Sequence, residues 1–327
     1  MSIDRIFFNN SQYPTIGVEV ELQVLSRETL DLTPGASDIL LEFQHSENVK
    51  DELLKSIIEI NSDICKNPDE VFSSLSKHIA KVNAVAYESG YALASLATHP
   101  FAKWEDQSVT NSKRYLSFLD RMQWPLRRLL ITGVHVHIGV DSGEKAIAVT
   151  NGLLKYIPIM IGLSANSPFF GGELTGLAST RTKIFEGLPT AGLPPVLRNF
   201  SEFQKLMRTL KKAKSIESIR EVWWDIRPHP RFGTVEIRVF DSVPTIEHIT
   251  ALSALSQLLV VMLSKDYDNG FQQSLLDSWI VRENKWRATR YGIDAKIIVD
   301  NEGNEETLKN FIFKTFDKLA PLSIELN

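Results

Sequence analysis

Strict alternation of apolar and polar residues predicts an amphipathic β-strand from Thr15 to Val24. Its apolar residues point one way, whereas Glu19 and Glu21 point the other way with their Cα atoms about 6.6 Å apart. Two carboxylates this close repel each other unless solvent or cations lie between them. An isolated pair of this kind is usually a solvated strand edge, so the pair alone does not indicate a site.

Two later segments repeat the same alternation. The segment that begins at Gly133 places His135 and His137 on one face, opposite valines and an isoleucine. A third segment, near residue 237, places Glu236 and Arg238 on one face. Two histidines on a single strand face are typical of ligands to a shared centre. If the three strands lie in one sheet, their polar face is a site rather than a solvated surface.

Helical periodicity alternates with these strands and predicts an α+β fold. The predicted helices are Asp38–Phe43, Pro68–Gly90, Ser112–Leu130 with an interruption at Pro125, Gly143–Ile161, a basic segment near residues 205–214, and finally Thr245–Ser264. A buried strand is predicted at Tyr91–Ala97. The dense Gly, Pro, Ser and Thr of residues 164–195 predict an ordered loop system over the site.

Composition restricts the class of protein. The chain has 327 residues, which we interpret as one domain (1–327), with 43% hydrophobic residues, a formal charge of −4 and a pI near 6.0. This balance provides no basic field for nucleic acid. The apolar run near Leu255–Leu263 is too short to span a membrane, and Met1–Gln12 lack the pattern of a signal peptide, so we expect a cytoplasmic protein. The single Cys65 excludes an internal disulfide and is expected in the core.

Several glutamates and a histidine on one sheet face form a hard, oxygen-rich site that suits Mg²⁺ or Mn²⁺. Arg181 and Arg238 could neutralise charge during phosphoryl transfer to or from a substrate. The sequence contains neither a P-loop nor a Rossmann glycine motif. His99 lies before a proline at a predicted strand exit, where it is either a site residue or a turn histidine.

The residues carry a resemblance to a known family. The motifs are Gly17–Leu22, Thr98–Phe101, Gly133–Gly139, Ser164–Pro168, Ala178–Arg181, Leu188–Pro195, Trp223–Pro228 and Phe232–Arg238. Together, and in this order, they resemble the carboxylate–amine ligase family, the type 2 glutamate–cysteine ligases. The match covers nearly the whole chain, and it weakens after Tyr291.

The resemblance implies a fold similar to the glutamine synthetase catalytic domain, with a curved, mainly antiparallel sheet and helices on its outer face. It also implies an ATP-dependent reaction in which glutamate, or a similar carboxylate, becomes an acyl phosphate and is captured by an amine. If the amine is cysteine, the protein would act in glutathione biosynthesis. The partners would be small-molecule carboxylate and amine substrates, and the protein would be a homodimer.

The resemblance further implies roles for individual residues. Two Mg²⁺ sites are expected, one formed by Glu21, Glu52 and Glu59 and one formed by Glu19, His135 and Glu236. Phosphate contacts are expected from His137 and Arg238. Arg181 would bind the substrate carboxylate or the transferred phosphoryl group, and Arg287 and Arg290 would assist the nucleotide. Glu52 rests on its spacing from Glu59, and which of the two histidines binds metal is left open.

Two alternative functions share these residues: a guanidino kinase-like phosphotransferase, and a non-catalytic protein that binds ATP or a metabolite. Glu236 separates a structural role from a metal-binding role. If Glu236 is an exposed partner of Arg238, replacing it by Gln would alter the free energy of unfolding by only about 0–1 kcal/mol. If Glu236 is a metal ligand, replacing it by Gln would relieve repulsion among carboxylates, so that the metal-free protein would hold or gain stability.

Overall fold

A computed structural model describes residues 6–271 and 273–326. Residues 1–5 lie outside the described residues. They belong to Met1–Gln12, the segment that lacks the pattern of a signal peptide. The strands are β1 (Ile16–Ser26), β2 (Val49–Asp51), β3 (Ile57–Asn61), β4 (Tyr91–Ala94), β5 (Gly133–Gly139), β6 (Phe169–Phe170), β7 (Glu173–Leu174), β8 (Ala191–Gly192), β9 (Trp223–Trp224), β10 (Ile226–His229), β11 (Thr234–Asp241), β12 (Lys296–Ile298) and β13 (Glu305–Thr307).

Helices occupy much of the remaining chain. They are α1 (Ala36–Leu40), α2 (Pro68–Glu88), α3 (Lys113–Met122), α4 (Trp124–Arg127), α5 (Gly143–Leu153), α6 (Ile157–Ser164), α7 (Thr180–Phe185), α8 (Phe200–Lys212), α9 (Ile246–Asp268), α10 (Ser278–Tyr291) and α11 (Leu308–Leu326). The start of α2 follows from its sequence, because the Asn67 side chain accepts a hydrogen bond from the Glu70 amide and Pro68 occupies the first turn.

The main sheet contains seven strands in the order β10-β11-β5-β1-β3-β2, and β4 also pairs with β1. All of these pairings are antiparallel. A register shift between Ile237 and Phe240 interrupts the pairing of β11 with β5, and an irregularity of this kind bends a strand. The three amphipathic strands predicted from the sequence, β1, β5 and β11, therefore lie side by side in one sheet.

The apolar face of this sheet is buried beneath helices. Helices α2, α5, α6 and α9 pack on the sheet or on one another, and the valines and isoleucines of β1, β5 and β11 form the core with them. Two helical segments, Gly143–Ser164 and α9, are long and apolar enough to cross a membrane, but they are 72% and 61% buried within the fold. Their apolar character is thus explained by their place in the core.

Some predicted elements differ from the observed ones. The helix predicted at Gly143–Ile161 is divided into α5 and α6 by a 3₁₀ turn at Leu154–Tyr156. Pro158 causes the division, because it has no amide hydrogen and its ring clashes with the carbonyl group four residues earlier. The loop system of residues 164–195 contains the short helix α7 and three two-residue strands. Helices α10 and α11, beyond the last predicted helix, were not expected.

Candidate functional site

A cavity of about 530 Å³ lies over the polar face of the sheet. Its floor includes carboxylates, His135 and Arg238 from the strands. An apolar wall stands beside this floor and consists of Leu53, Tyr115, Phe118, Leu126, Leu129, Leu188 and Trp223. Charged side chains are thus held next to a surface that excludes water, where electrostatic interactions are stronger than in bulk solvent.

Strand register brings the predicted side chains together in rows across the sheet. Glu19 of β1 pairs with His135 of β5, and Glu236 of β11 pairs with His137 of β5. The potential metal-ligand atoms of Glu19, His137 and Glu236 lie within 4.8 Å of one another. In the part of the chain that the structure describes, these three side chains form the group that is close enough to share a metal ion. The structure therefore groups His137, rather than His135, with these two carboxylates.

His137 is oriented as a metal ligand would be. Its Nδ1 lies 3.0 Å from the Thr234 hydroxyl, which fixes the ring, and its Nε2 lies 3.4 Å from Glu19 and 3.8 Å from Glu236. Among the described residues, this buried Nε2 has no hydrogen-bond partner. Burial disfavours its charged form, but Glu236 and Glu19 outweigh burial and raise the pKa of His137. An unpaired nitrogen facing two carboxylates fits a divalent cation.

His135 lies between this group and the next one. Its Nδ1 is 3.0 Å from a carboxylate oxygen of Glu19, and its Nε2 is 4.0 Å from Glu21. Burial, assisted by the charge of Arg238, lowers the pKa of His135 to about 4. The ring is consequently neutral at physiological pH and able to offer a lone pair.

Glu236 is neutralised by two buried arginines. It is 0% exposed, and its carboxylate accepts hydrogen bonds from Arg227 Nε at 2.7 Å and from Arg238 Nη1. Burial alone would raise the pKa of this carboxyl group, but Arg227 and Arg238 hold it well below its usual range. The premise that Glu236 is an exposed partner of Arg238 is wrong.

Glu21, Glu52 and Glu59 form a second acidic group in the same cavity. Glu21 pairs with Glu59 across β1 and β3, and Glu52 follows β2. Burial raises the pKa of Glu21 to about 7, with Arg181 opposing the increase. Burial and the charge of Glu59 hold the pKa of Glu52 well above its usual range, and burial and Glu19 raise that of Glu59. Lys50 lies 3.5 Å from Glu59, and Arg181 lowers the pKa of Glu21, but burial outweighs both cations.

Arg181 reaches the cavity from α7. It is 3% exposed, its Nη2 donates to the backbone oxygen of Arg238 at 3.2 Å, and its buried Nε has no partner among the described residues. Gly133 makes this position possible, because a Cβ at that residue would overlap the guanidinium group of Arg181. The amide of Gly133 donates to Glu21 at 2.6 Å, so one glycine serves both side chains.

Comparison with known proteins identifies the family. A family model described as glutamate–cysteine ligase family 2 matches residues 15–324. The chain belongs to this family. A protein of Thermobifida fusca named "Putative glutamate–cysteine ligase 2" is 43% identical over 327 residues, covering 98% of this chain and 82% of that protein. One of the same name from Gloeobacter violaceus is 40% identical over 323 residues, covering 98% and 87%.

Solved structures match the fold of this ligase. The glutamate–cysteine ligase of Francisella tularensis in complex with AMP aligns with a TM-score of 0.69 and 13% identity, covering 96% of this chain and 78% of that chain. A bifunctional glutathione synthetase from Pasteurella multocida aligns with a TM-score of 0.70 and 12% identity, covering 96% and 47%. The predicted family, the ligase class and the α+β fold are confirmed.

Not every predicted site residue of this ligase lies at the cavity. Arg287 forms ion pairs with Glu283, at 2.8 Å, and with Glu305, and it lines a separate surface groove. Arg290 is exposed and lies over the ring of Tyr291. His99 is buried in a turn, where its Nε2 lies 3.0 Å from the carbonyl oxygen of Leu30. Of its two interpretations, the turn histidine fits the structure.

The sequence did not single out two features. Arg227 faces Glu236 across the β10–β11 hairpin. The signal in the sequence that could have identified Arg227 is its position in a strand segment just before the strand that carries Glu236. The side chain of Lys285 on α10 is 3% exposed, and its Nζ lies 2.6 Å from a carboxylate oxygen of Asp225 and 2.6 Å from one of Glu186. This ion triad, in which Lys285 and Asp225 are buried, connects α10 to the end of α7, the helix that carries Arg181.

Proposed function

We propose that this ligase uses ATP to phosphorylate the side-chain carboxylate of glutamate and then joins the carbonyl carbon to an amine. In the first step an oxygen of the carboxylate attacks the γ-phosphorus, and ADP leaves. In the second step the amine nitrogen forms the amide bond, the amine loses a proton, and phosphate leaves. Relatives of this chain are named as glutamate–cysteine ligases, and the identity of the amine stays open.

The arrangement of two acidic groups beside two arginines supports this proposal. Glu19, the second acidic group and both arginines line one cavity, and His137 and Glu236 adjoin Glu19. Glu19, His137 and Glu236 would hold one Mg²⁺, and Glu21, Glu52 and Glu59 would hold another, with His135 between them. When bound, the ions would offset the negative charge of the phosphate groups. Oxygen ligands with one imidazole suit this cation better than they suit a structural zinc ion.

Arg181 and Arg238 supply fixed positive charge in the same space. Both guanidinium groups are buried and both line the cavity, and each has an Nε without a partner among the described residues. Cations fixed in a dry cavity stabilise the charge of a transferring phosphoryl group without reorganising during the reaction. The apolar wall would exclude water, which competes with the amine for the acyl phosphate.

The test is product analysis with the purified protein. ATP, Mg²⁺ and glutamate are combined with each of a set of amino acids and amines, and mass spectrometry is used to identify amide, ADP and phosphate. We expect amide and ADP to form together, only with Mg²⁺ present. Arg181→Ala serves as the variant with an impaired site, and Arg287→Ala serves as a matched control whose side chain lies outside the cavity.

Three results would contradict the proposal. AMP as the product would exclude an acyl phosphate. A stable phosphorylated product without an amide would indicate the guanidino kinase-like phosphotransferase. Binding of ATP and Mg²⁺ by calorimetry, with no product from any pair of substrates, would indicate the non-catalytic binding protein. The homodimer and a role in glutathione biosynthesis stay predictions from the resemblance, and the cytoplasmic location stays a prediction from the sequence.

A further inference from the structure

The turn between β10 and β11 presents an aromatic ring to the cavity. Phe232 is 54% exposed although it lines the cavity, which is unusual for a phenylalanine in a charged site. Its ring stacks on that of His229 with 4.2 Å between centroids and 14° between planes. His229 covers one face of the Phe232 ring, and the guanidinium carbon of Arg231 lies 6.0 Å from the ring centroid. The part of the ring that stays exposed is available for a second flat group.

This ring is held in place by a fixed turn. Gly233 adopts a φ of +70°, and a Cβ at this residue would lie 2.5 Å from the backbone oxygen of Asn9. The amide of Asn9 donates to Pro230 O at 2.9 Å, and its side chain donates to Arg231 O at 2.5 Å. A segment distant in sequence thus ties down the turn that carries Phe232. A ring fixed in this way loses little conformational entropy when a ligand binds.

The ring also adjoins the group of ligand atoms that includes His137. The Phe232 and His137 rings are 5.6 Å apart and at 71° to each other, in an edge-to-face arrangement. The Nε2 of His137 faces Glu19 and Glu236. A ligand that stacks on Phe232 would therefore lie next to the place where phosphates and a cation are expected.

We propose that Phe232 is the stacking platform for the nucleobase of the nucleoside triphosphate. This inference rests on the proposed function, because it requires a nucleotide whose phosphates lie at the His137 group. The chemistry of the ligands supports the base as the occupant, since glutamate has no flat π-system to stack. Replacement of a stacking aromatic by alanine typically weakens binding by about 1–3 kcal/mol per base, which is about 5- to 150-fold.

A pair of ligands separates stacking from phosphate binding. Mg²⁺–ATP and Mg²⁺–tripolyphosphate are titrated by calorimetry into the wild-type protein and into Phe232→Ala, Phe232→Tyr and Phe313→Ala. We expect Phe232→Ala to weaken ATP binding by about 5- to 150-fold and to leave tripolyphosphate binding unchanged. Phe232→Tyr keeps a flat ring and should bind both ligands normally. Phe313, 66% exposed on α11, is the control for loss of an exposed phenylalanine.

Each remaining outcome overturns the inference. If Phe232→Ala binds ATP as the wild type does, the base lies elsewhere, and the proposed function is untouched. If both ligands weaken equally, Phe232 supports the phosphate site through the turn and does not stack on a base. If the wild-type protein binds no ATP with Mg²⁺, the inference and the proposed function both fail. Melting temperatures of the variants establish that each is folded.

Discussion

Replacement of Glu236 by Gln should destabilise the protein, contrary to both expectations from the sequence. The change keeps the shape of the side chain and removes its charge. Two buried guanidinium groups, those of Arg227 and Arg238, would then lose the carboxylate that neutralises them. Relief of repulsion from Glu19 is outweighed here, because Arg227 and Arg238 hold the pKa of Glu236 well below its usual range.

The magnitude follows from the burial of all three groups. Removing one partner of a buried ion pair typically costs about 3–5 kcal/mol, because the other partner remains charged and unpaired. An unfolding entropy of about 2.1 cal/mol/K per residue, applied to 327 residues, converts this cost to a decrease in melting temperature of about 4–7 °C. This decrease is expected without metal and without nucleotide.

Glu52→Gln provides a matched control with the opposite expected sign. Glu52 is a carboxylate that lines the cavity, and burial and Glu59 raise its pKa, so its charge destabilises the metal-free fold. Removing that charge should leave the melting temperature unchanged or higher. Scanning calorimetry in EDTA compares both variants with the wild type. A Glu236→Gln protein that melts at or above the wild-type temperature would refute the reasoning.

Three further predictions concern other buried groups. Gly133→Ala should displace the guanidinium group of Arg181, so product formation in the amide assay should fall sharply. The control is Gly17→Ala, whose Cβ would lie at an ordinary 3.7 Å from the Cβ of His137 and which should keep its stability in thermal melts. Lys285→Met should lower the free energy of unfolding in urea by about 3–5 kcal/mol, because Asp225 loses its buried cation. Burial raises the pKa of Cys65 to about 11, so iodoacetamide at pH 8 should alkylate this thiol only after unfolding, as mass spectrometry would show.

Strand periodicity predicted the faces of the sheet but not its pairings. Side chains alternate along any strand, so Glu19 and Glu21 had to share a face whatever lay beside them. Which strand pairs with which depends on contacts far apart in sequence. The opposition of Glu21 to Glu59 and of Glu236 to His137 therefore became visible only in the folded sheet.

Helix α10 shows where charge counting fails. Lys285 and Arg287 are two residues apart, and about 200° separates their directions on a helix. Lys285 is buried in an ion triad, whereas Arg287 pairs with Glu283 and Glu305 on another side. Without a predicted helix at this position, the sequence could not separate these directions. The expectation that Arg287 assists the nucleotide came from the resemblance, and the structure places it outside the cavity.

The two acidic groups differ in how their charge is compensated, and this difference has a consequence for metal binding. Glu236 has one cation on its own strand, Arg238 of β11, and one on the paired strand, Arg227 of β10, so its charge is balanced by the protein alone. Glu21, Glu52 and Glu59 have raised pKa values because burial and mutual repulsion outweigh the nearby cations, Lys50 and Arg181. A divalent cation that binds only the folded form stabilises it by mass action. Mg²⁺ alone should therefore raise the melting temperature, and Glu52→Gln should reduce this increase because the variant removes a ligand together with the charge that the ion would offset.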